Sequence, residues 1–426
     1  MKKPLNVFFE KKLVGALSKK DDDTLAFNYA AAWLNDEAKF PLCPALPLQE
    51  DAFNNRLTKA YFDNLLPEGE TLKTVEKILS RSLEDPYQFL ENYGLDCAGA
   101  LEITPSDTPP PPQGGGKIEK ISFDEIDSVL EKGQSLYVHS LTAHKGRFSI
   151  AGAQDKIPVI YRDGEVYIPL DSSPTTHILK PPVRLPDAFE SVHNEYYCMK
   201  LAKLCGLDVP EVAVIGKNTP LFLIQRYDRR VTGTNVQRIH QFDLCQAQGY
   251  PAAEKYEEDG GPNFAKGYKC VELNSNDKIR DLETSLKWLA FNLLIGNNDS
   301  HSKNLSFLYE NGETKLAPLY DLLSTSVYKK LAPEFAFKIG GQRMWHQLKR
   351  KNLEMLAGEL GYKNRLEIVA ETVLAMADKL EEKADAFLTQ EEKTHDHLAI
   401  PGVLANEITK RVKAFREKFK QTKNRS

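Results

Sequence analysis

The sequence predicts an α+β protein with two lobes, in which a sheet-rich lobe with one embedded helix precedes a helical lobe. Segments with strand character succeed one another between residues 147 and 227. One helical segment, residues 187–210, interrupts them and is stopped by Gly206 and Pro210. Beyond Asp281 the chain is predicted to be helical except for one hairpin. A small α/β subdomain is expected to precede both lobes.

The composition is that of an ordinary globular protein. The 426 residues are 41% hydrophobic and 27% charged, with a net charge of −4. This balance gives no whole-molecule electrostatic argument for binding nucleic acid or an anionic membrane. Apolar runs are too short to span a membrane, and Glu10, Lys11 and Lys12 interrupt the N-terminal apolar stretch that a signal peptide needs. We therefore expect a cytoplasmic protein with no membrane contact.

The cysteines predict neither a disulfide framework nor a cysteine zinc site. They are scattered along the chain without a C-x-x-C pair, so we expect buried free thiols. The six are Cys43, Cys97, Cys198, Cys205, Cys245 and Cys270.

Residues 1–105 are predicted to form the N-terminal α/β subdomain. The segment LNVFFEKKLVGAL is typical of a hairpin with a charged Glu-Lys-Lys turn, and helices are expected at 58–66 and 71–80. A Pro/Gly-rich linker or loop, residues 106–117, follows. Its GGGK end is not a phosphate-binding P-loop, because Ile118 follows the lysine and Pro111 occupies the first-glycine position.

Residues 118–230 are predicted to form the sheet-rich lobe. Ser122 and Glu125 have the spacing of a helix capping box. Strands are then expected in RFSIA, KIPVIY, VYIPL, THILK, VAVI and LFLIQRY, with an Asp163-Gly164 hairpin turn joining the second to the third.

Residues 231–426 are predicted to form the helical lobe. Its one expected hairpin comprises LSFLYE, an Asn311-Gly312 turn and TKLAPLY. A sheet with one embedded helix, followed by a helical lobe with a hairpin, is the order of a two-lobed, protein-kinase-like fold. That order directs attention to residues suited to phosphoryl transfer.

A polar turn, NNDSHSKN at residues 297–304, lies between two apolar segments. Burying so many polar groups is costly unless each finds a partner. Asp299 and Asn304 have the D-x-x-x-x-N spacing of a kinase catalytic loop, in which the acid is the catalytic base and the amide oxygen reaches Mg²⁺. His301 and Lys303 are grouped with the nucleotide-binding residues; for His301, a hydrogen-bonded turn histidine is the alternative.

Asp321 is the second predicted metal ligand. It follows the apolar segment LAPLY, and the Asn-Gly turn is expected to fold the chain back so that Asp321 approaches Asn304. One carboxylate, one amide oxygen and substrate phosphates are sufficient ligands for Mg²⁺. ATP and Mg²⁺ are therefore the predicted cofactors. A calcium loop starting at Asp299 is disfavoured, because a histidine and a lysine occupy ligand positions and the required glycine is absent.

Upstream residues supply the other predicted ATP contacts. Lys180 ends the strand THILK and would bind phosphate, oriented by Glu195 in the embedded helix. Gln225 and Tyr227 belong to the predicted inter-lobe hinge, whose backbone would bond adenine. In the loop SIAGAQDK, the backbone N–H groups of four residues are expected to approach phosphate oxygens closely. They are Ala151, Gly152, Ala153 and Gln154.

Motifs spread over most of the chain resemble those of the HipA family of bacterial toxin kinases. They are FDNLLPEG (62–69), DCAGAL (96–101), SIAGAQDK (149–156), TTHILKP (175–181), NEYYCMKLAKLCGL (194–207), RYDR (226–229), KYEEDGGP (255–262), the turn at 297–304 and PLYDLLS (318–324). The resemblance implies a Ser/Thr protein kinase with an extra N-terminal domain. It assigns Asp299, Asn304, Asp321 and Lys180 the roles given above. Gln225 stands where relatives often carry an acid.

The resemblance also implies partners and regulation. A HipB-like antitoxin, as a dimer bound to operator DNA, would neutralise the kinase. The substrate would be an aminoacyl-tRNA synthetase, by analogy the glutamyl enzyme, so that translation stops and persistence is favoured. Ser149 matches the position of inactivating autophosphorylation. Added phosphate charge would disfavour return of this loop to a polyphosphate site.

Two other classes of function compete with a protein kinase. A lipid or small-molecule phosphotransferase would share the D-x-H-x-x-N pattern, although no membrane-binding segment is visible. Alternatively, the chain is a catalytically weak binding module that acts with an antitoxin as an operator co-repressor. The C-terminal run from Lys410 carries eight lysines and arginines, which would suit phosphate contacts. An amphipathic helix with Val412, Phe415 and Phe419 on one face is the alternative for this run.

Overall fold

The structure is a computed structural model that describes residues 2–79, 85–110, 116–185, 187–233 and 235–420. The chain forms two units. Unit 1 comprises Met1–Pro181, Ile215–Ala253 and Ser306–Thr314, and unit 2 comprises Pro182–Val214, Glu254–Leu305 and Lys315–Ser426. The four-part division at residues 105, 117 and 230 stays a prediction, and residues 111–115 of the expected linker lie outside the described residues.

The strands are β1 (Leu5–Phe9), β2 (Lys12–Lys19), β3 (Leu25–Tyr29), β4 (Glu102–Thr104), β5 (Ile118–Ile121), β6 (Ile157–Arg162), β7 (Glu165–Pro169), β8 (His177–Lys180), β9 (Val212–Ile215), β10 (Leu221–Gln225), β11 (Arg229–Thr232), β12 (Asn235–Arg238), β13 (His240–Asp243), β14 (Ser306–Glu310), β15 (Glu313–Leu316), β16 (Glu334–Ile339) and β17 (Gln342–Met344).

The helices are α1 (Ala31–Leu34), α2 (Asn55–Phe62), α3 (Gly69–Leu79), α4 (Pro86–Tyr93), α5 (Phe123–Glu131), α6 (Leu136–Thr142), α7 (Ser191–Leu204), α8 (Leu244–Gln248), α9 (Phe264–Asn274), α10 (Lys278–Ile295), α11 (Arg350–Glu359), α12 (Ile368–Thr394) and α13 (Ile400–Lys420).

Unit 1 begins with a sheet of order β3-β2-β1-β4. The predicted N-terminal hairpin is confirmed, with Phe9 paired to Lys12 and the left-handed residues Glu10 and Lys11 forming its turn. Most residues of β1 and β3 are buried, and the rings of Phe27 and Phe62 join β3 to α2 at a centroid distance of 5.6 Å. The predicted helices at 58–66 and 71–80 correspond to α2 and α3 as far as the latter is described.

The second sheet of unit 1 contains β5-β7-β6-β8-β10 as successive neighbours. The Asp163-Gly164 hairpin is confirmed, since both turn residues have positive φ and Arg162 pairs with Glu165. The strand predicted in RFSIA is wrong. Only an isolated bridge joins Phe148 to Asp96, because this segment binds a distant part of the chain instead of a neighbouring strand. Helix α6, just before it, was not predicted.

Unit 2 is built around long helices. Helix α10 carries buried residues on several sides, and Trp288 stacks on Phe264 of α9 at 6.3 Å. Helix α7 is the predicted embedded helix, and Gly206 follows it in the left-handed conformation. The expectation of a single hairpin beyond Asp281 is wrong, because β16 and β17 form another. Its Gly340-Gly341 turn supplies the two positive φ angles that such a turn needs.

The α+β class with a sheet-rich and a helical part is confirmed by this arrangement of strands and helices. All six cysteines are buried free thiols, as predicted. Within the described part of the chain, every helix is too short or too polar to cross a membrane.

Candidate active site

The polar turn after α10 is buried almost throughout. Helix α10 ends at Gly296, whose left-handed φ of +79° redirects the chain into residues 297–304. Asp299 is the one exposed residue among these eight; the other seven are buried. Some of their polar groups bond to the turn or its neighbours, as the Asn298 N–H does to Thr325 Oγ1 at 2.8 Å. Others, among them Asn298 Oδ1, Ser302 Oγ and Asn304 Oδ1, have no hydrogen-bond partner among the described residues.

Asn297 connects the turn to two other segments of unit 2. Its side-chain nitrogen donates to Asn292 Oδ1 at 2.8 Å and to the Asp321 carbonyl at 3.2 Å. Its side-chain oxygen accepts from the Asp299 backbone N–H at 3.1 Å. One asparagine therefore sets the backbone of Asp299 and Asp321 relative to helix α10. The sequence analysis gave Asn297 no role.

Asp299 presents its carboxylate at the surface of unit 2. The Tyr256 hydroxyl donates to its Oδ1 at 2.7 Å, and the Tyr256 ring lies edge-on to His301 at 5.1 Å. Sequence reasoning missed this tyrosine as a functional residue. The only sequence signal for it was its place in the KYEEDGGP motif. His301 itself is buried in the turn.

Asn304 and Asp321 meet as the Asn-Gly turn predicted. The amide nitrogen of Asn304 donates to Asp321 Oδ2 at 3.0 Å. Asp321 has a φ of +59°, a left-handed conformation that costs a non-glycine residue energy and is concentrated at functional sites.

The donor set fits a hard divalent cation. Asn304 Oδ1 is buried and has no hydrogen-bond partner among the residues that the structure describes. The nitrogen of the same amide donates to the Asp321 carboxylate. An amide oxygen and a carboxylate are ligands that Mg²⁺ accepts, and a cation would satisfy the buried oxygen.

Lys303, the remaining predicted residue of the turn, is buried, and its carbonyl accepts from the Tyr320 hydroxyl at 2.5 Å. Tyr320 directly precedes Asp321, so this bond fastens the segment that carries the Asp321 carboxylate to the turn. Glu195 also belongs to unit 2, buried within α7. Its predicted pairing with Lys180 stays a prediction.

The SIAGAQDK loop lies in unit 1 and is anchored at both ends. Ser149 is fully buried; its hydroxyl donates to the Leu65 carbonyl at 2.6 Å, and its N–H donates to the Asp96 carbonyl at 3.1 Å. Gly152 accepts from the Glu68 N–H at 2.9 Å and has a φ of +110°, which an L side chain rarely adopts. Ala151, Gly152 and Gln154 are half-buried and Ala153 is exposed, so the tip is accessible.

Lys180, Gln225 and Tyr227 are also placed in unit 1. Lys180 is buried in β8 opposite Phe222 of β10, with its Nζ 5.7 Å from the ring centre. Gln225 and Tyr227 are half-buried on either side of the buried Arg226. Strand β10 ends at Gln225, so Arg226 and Tyr227 lie in the segment that follows it.

Arg226 belongs to a buried charge network that supports the hinge segment. Its guanidinium contacts Asp228 at 2.7 Å and Asp96 at 3.4 Å, and Asp96 also binds Arg229 at 2.9 Å and Arg238 at 3.1 Å. Burial raises the pKa of Asp96, but Arg229, Arg226 and Arg238 lower it more, so it lies well below its usual range. The DCAGAL and RYDR motifs thus meet in one structural network.

Comparison with known proteins identifies the family. The HipA-like C-terminal domain model matches residues 148–384 and the HipA N-terminal domain model matches residues 5–104. The chain belongs to the HipA family of kinases. The Sinorhizobium fredii putative kinase Y4mE is 35% identical over 402 residues, covering 92% of this chain and 95% of that protein.

Two further relatives of this HipA-family chain come from Shewanella oneidensis. Its serine/threonine-protein kinase toxin HipA is 30% identical over 335 residues, which is 74% of each chain. A solved complex of HipA, HipB and operator DNA from strain MR-1 contains a chain with a TM-score of 0.83 and 24% identity, covering 99% of this chain and 100% of that one. The structural likeness shows that the fold is shared over the full length.

Proposed function

We propose that this HipA-family chain is a Ser/Thr protein kinase that transfers the γ-phosphoryl group of ATP to a protein hydroxyl. The observation that carries the proposal is the buried Asn304 amide. Its nitrogen binds Asp321 at 3.0 Å, and its oxygen lacks a partner among the described residues. Asn304 lies five residues after Asp299, an exposed acidic residue in the same turn.

Asp299 is proposed as the catalytic base. It would accept the proton of the substrate hydroxyl, and the Tyr256 hydroxyl, which donates to its Oδ1, would help to orient the carboxylate. Mg²⁺ held by Asn304 and Asp321 would supply charge neutralisation for the ATP phosphates. Asn297 fixes the backbone of both acids and is therefore a positioning residue.

The residues of unit 1 are proposed to bind the nucleotide. Lys180 would bind phosphate, with Glu195 as its predicted orienting partner. The accessible tip of the SIAGAQDK loop would offer backbone N–H groups to phosphate oxygens. The backbone at Gln225 and Tyr227 would bond adenine. His301 and Lys303 remain proposed nucleotide contacts.

We further propose a biological role as the kinase toxin of a toxin–antitoxin system in the cytoplasm. Its partner would be a HipB-like antitoxin bound as a dimer to operator DNA, and its substrate an aminoacyl-tRNA synthetase, by analogy the glutamyl enzyme. Phosphorylation of that substrate would inhibit translation and favour persistence. The named HipA toxin relative and the HipA–HipB–DNA complex support this role.

The basic C-terminal run bears on the alternative of a DNA-contacting binding module. In its described part, Val412 and Phe415 are buried, which favours the amphipathic-helix interpretation; Phe419 lies outside the described side chains. Arg411 pairs with Glu407 at 2.6 Å. Helix α13 therefore uses at least part of this run for packing within unit 2.

A labelling experiment tests the kinase against the binding module. The full chain is incubated with Mg²⁺ and γ-labelled ATP, and transfer to protein is measured for wild type and Asp299→Asn. We expect labelling to fall by about 100-fold or more in the variant, because general-base catalysis supplies that order of rate. Glu283→Gln, an exposed carboxylate on the helix leading into the turn, is the matched control and should label like wild type.

Two outcomes would contradict the proposal. Undiminished labelling by Asp299→Asn would remove Asp299 from the base role. Failure of wild type to bind ATP with Mg²⁺ would reject the kinase and support the binding module.

A further inference from the structure

A second cluster of chemically active side chains lies in unit 1, outside the candidate active site. Oε1 of Glu125 is 2.8 Å from Nε2 of His139 and 2.7 Å from Nε2 of His144. These three atoms all lie within 4.8 Å of one another. The Glu125 and His139 side chains are 35% and 22% exposed, whereas His144 is 6% exposed, so the cluster is preformed and open on one side.

Local structure holds the three side chains in place. The backbone N–H of Glu125 donates to Ser122 Oγ at 3.1 Å, as the predicted cap requires. The glutamate side chain meets the two histidines instead of completing a capping box. His139 projects from α6, and the chain after it turns back where the Gly146 N–H donates to the Ser140 carbonyl at 3.0 Å.

Two carboxylates lie on opposite sides of the His144 ring. Its Nε2 is 2.7 Å from Glu125 Oε1, and its buried Nδ1 lies 3.3 Å from Glu119 Oε1 without making a hydrogen bond to any described residue. A small rotation of the exposed Glu119 side chain would let it accept from an Nδ1 N–H. A histidine that binds a metal through one ring nitrogen while the other donates to a carboxylate is the carboxylate–histidine–metal arrangement of protein metal sites.

We propose that Glu125, His139 and His144 bind a divalent transition-metal ion, with Zn²⁺ as the expected ion. Two imidazoles and one carboxylate form a known zinc ligand set, and a water would take the fourth position. Ligand atoms on a tetrahedral zinc lie about 3.3 Å apart, given bonds of about 2.0 Å. Small side-chain rotations would therefore open the present contacts enough to admit the ion. Glu119 would be the outer carboxylate that fixes the His144 ring.

The proposed ion would brace the candidate nucleotide loop. It would join α5 to the middle of α6 and to the segment that follows α6. The N-terminal turn of α6 is itself held by Asp155 of the SIAGAQDK loop. Asp155 Oδ2 accepts from the Leu136 N–H at 2.8 Å, and Oδ1 accepts from Ser135 Oγ at 2.8 Å. The site is thus assigned a structural role, and it does not depend on the kinase proposal.

Zinc binding by the untagged full chain tests the inference. Apo protein is dialysed against Zn²⁺ and washed, and retained metal is measured by elemental analysis with thermal unfolding in parallel. We expect about one Zn²⁺ per wild-type chain and a zinc-dependent rise in unfolding temperature. His139→Gln, at the exposed side of the cluster, should retain the metal-free unfolding temperature but weaken zinc binding at least about tenfold. Glu119→Gln should weaken it about tenfold through the outer contact.

Two control variants separate this site from other zinc-binding groups. His395→Gln removes a histidine that lies 3.8 Å from a single carboxylate, Glu391, and should keep the bound zinc. Asp321→Asn alters the proposed Mg²⁺ site and should also keep it. Wild type that retains no zinc would overturn the inference and leave a hydrogen-bonded cluster of one glutamate and two histidines. Equal zinc retention by wild type and His139→Gln would overturn it as well.

Discussion

At the scale of single residues, the choice of an amide at position 304 has a physical reason. The Asn304 nitrogen donates to Asp321 Oδ2, while its oxygen has no hydrogen-bond partner among the described residues. A carboxylate at 304 would instead place two like charges at hydrogen-bond distance and raise the pKa of one of them. The asparagine avoids that repulsion, and in the proposed site it would add a neutral ligand.

A buried glutamate in unit 1 predicts a pH-dependent stability. Burial raises the pKa of Glu102 to about 7 from its ordinary 4.5, although Arg238 at 3.3 Å opposes the shift. Because the folded-state pKa lies above the unfolded one, the stability that protonated Glu102 contributes is present below pH 4.5 and lost as pH rises towards 7.

The Glu102→Gln variant should not show this loss of stability as pH rises. Between pH 5 and pH 8, wild type should lose on the order of 2 kcal/mol more unfolding free energy than the variant. Chemical denaturation at the two pH values measures the difference. Glu165→Gln, a half-exposed carboxylate in β7, should follow wild type. Parallel pH profiles for wild type and Glu102→Gln would show that Glu102 is not the titrating group.

At the scale of elements, the end of helix α10 determines where the polar turn at residues 297–304 begins. Gly296 has a φ of +79°, and a Cβ there would lie 2.0 Å from Ser326 Oγ and 3.0 Å from Arg411 Nε. Gly296→Ala should therefore combine backbone strain with crowding and destabilise unit 2 by about 2–3 kcal/mol. Denaturant unfolding measures this loss.

Gly361→Ala is the matched control for that variant. Gly361 has a φ of +92° in the same unit, and a Cβ there would meet no described atom within 4 Å. Gly361→Ala should lower the free energy of unfolding only through backbone strain, by about 1 kcal/mol. Equal losses in the two variants would mean that contacts around Gly296 do not constrain the turn.

The SIAGAQDK loop is an element whose state should depend on phosphorylation. Ser149 is fully buried, with its hydroxyl bonded to Leu65, so a phosphate there cannot be accommodated without moving the loop. The added charge would also disfavour a loop position beside polyphosphate. We expect phosphorylated protein to bind ATP at least about tenfold more weakly than Ser149→Ala, as measured by calorimetry. Equal affinities would contradict the proposed regulation.

Elements with local turn signals were the ones that the sequence predicted well. The Glu10-Lys11, Asp163-Gly164 and Asn311-Gly312 turns each have two positive φ angles, as two-residue hairpins of this type require. The segment around Phe148 has strand-forming residues but bonds to residues far away in sequence, so local propensity was misleading there.

At the scale of the whole molecule, the order of motifs predicted the class and the family, because each motif carries several residues at fixed spacing. The contact of Asn304 with Asp321 was predictable because a short hairpin connects them. The Tyr256–Asp299 bond and the Glu125–His139–His144 cluster were not, since each joins segments whose approach depends on tertiary packing.

The central claim is that Asn304 and Asp321 bind the metal ion that coordinates the phosphates of ATP. A crystal structure of the full chain with Mg²⁺ and a non-hydrolysable ATP analogue tests it most directly. We predict a metal ion about 2.1 Å from Asn304 Oδ1 and from a carboxylate oxygen of Asp321, with phosphate oxygens completing its ligands. A nucleotide-bound metal coordinated by other residues, with Asn304 Oδ1 outside ligand distance, would contradict the claim.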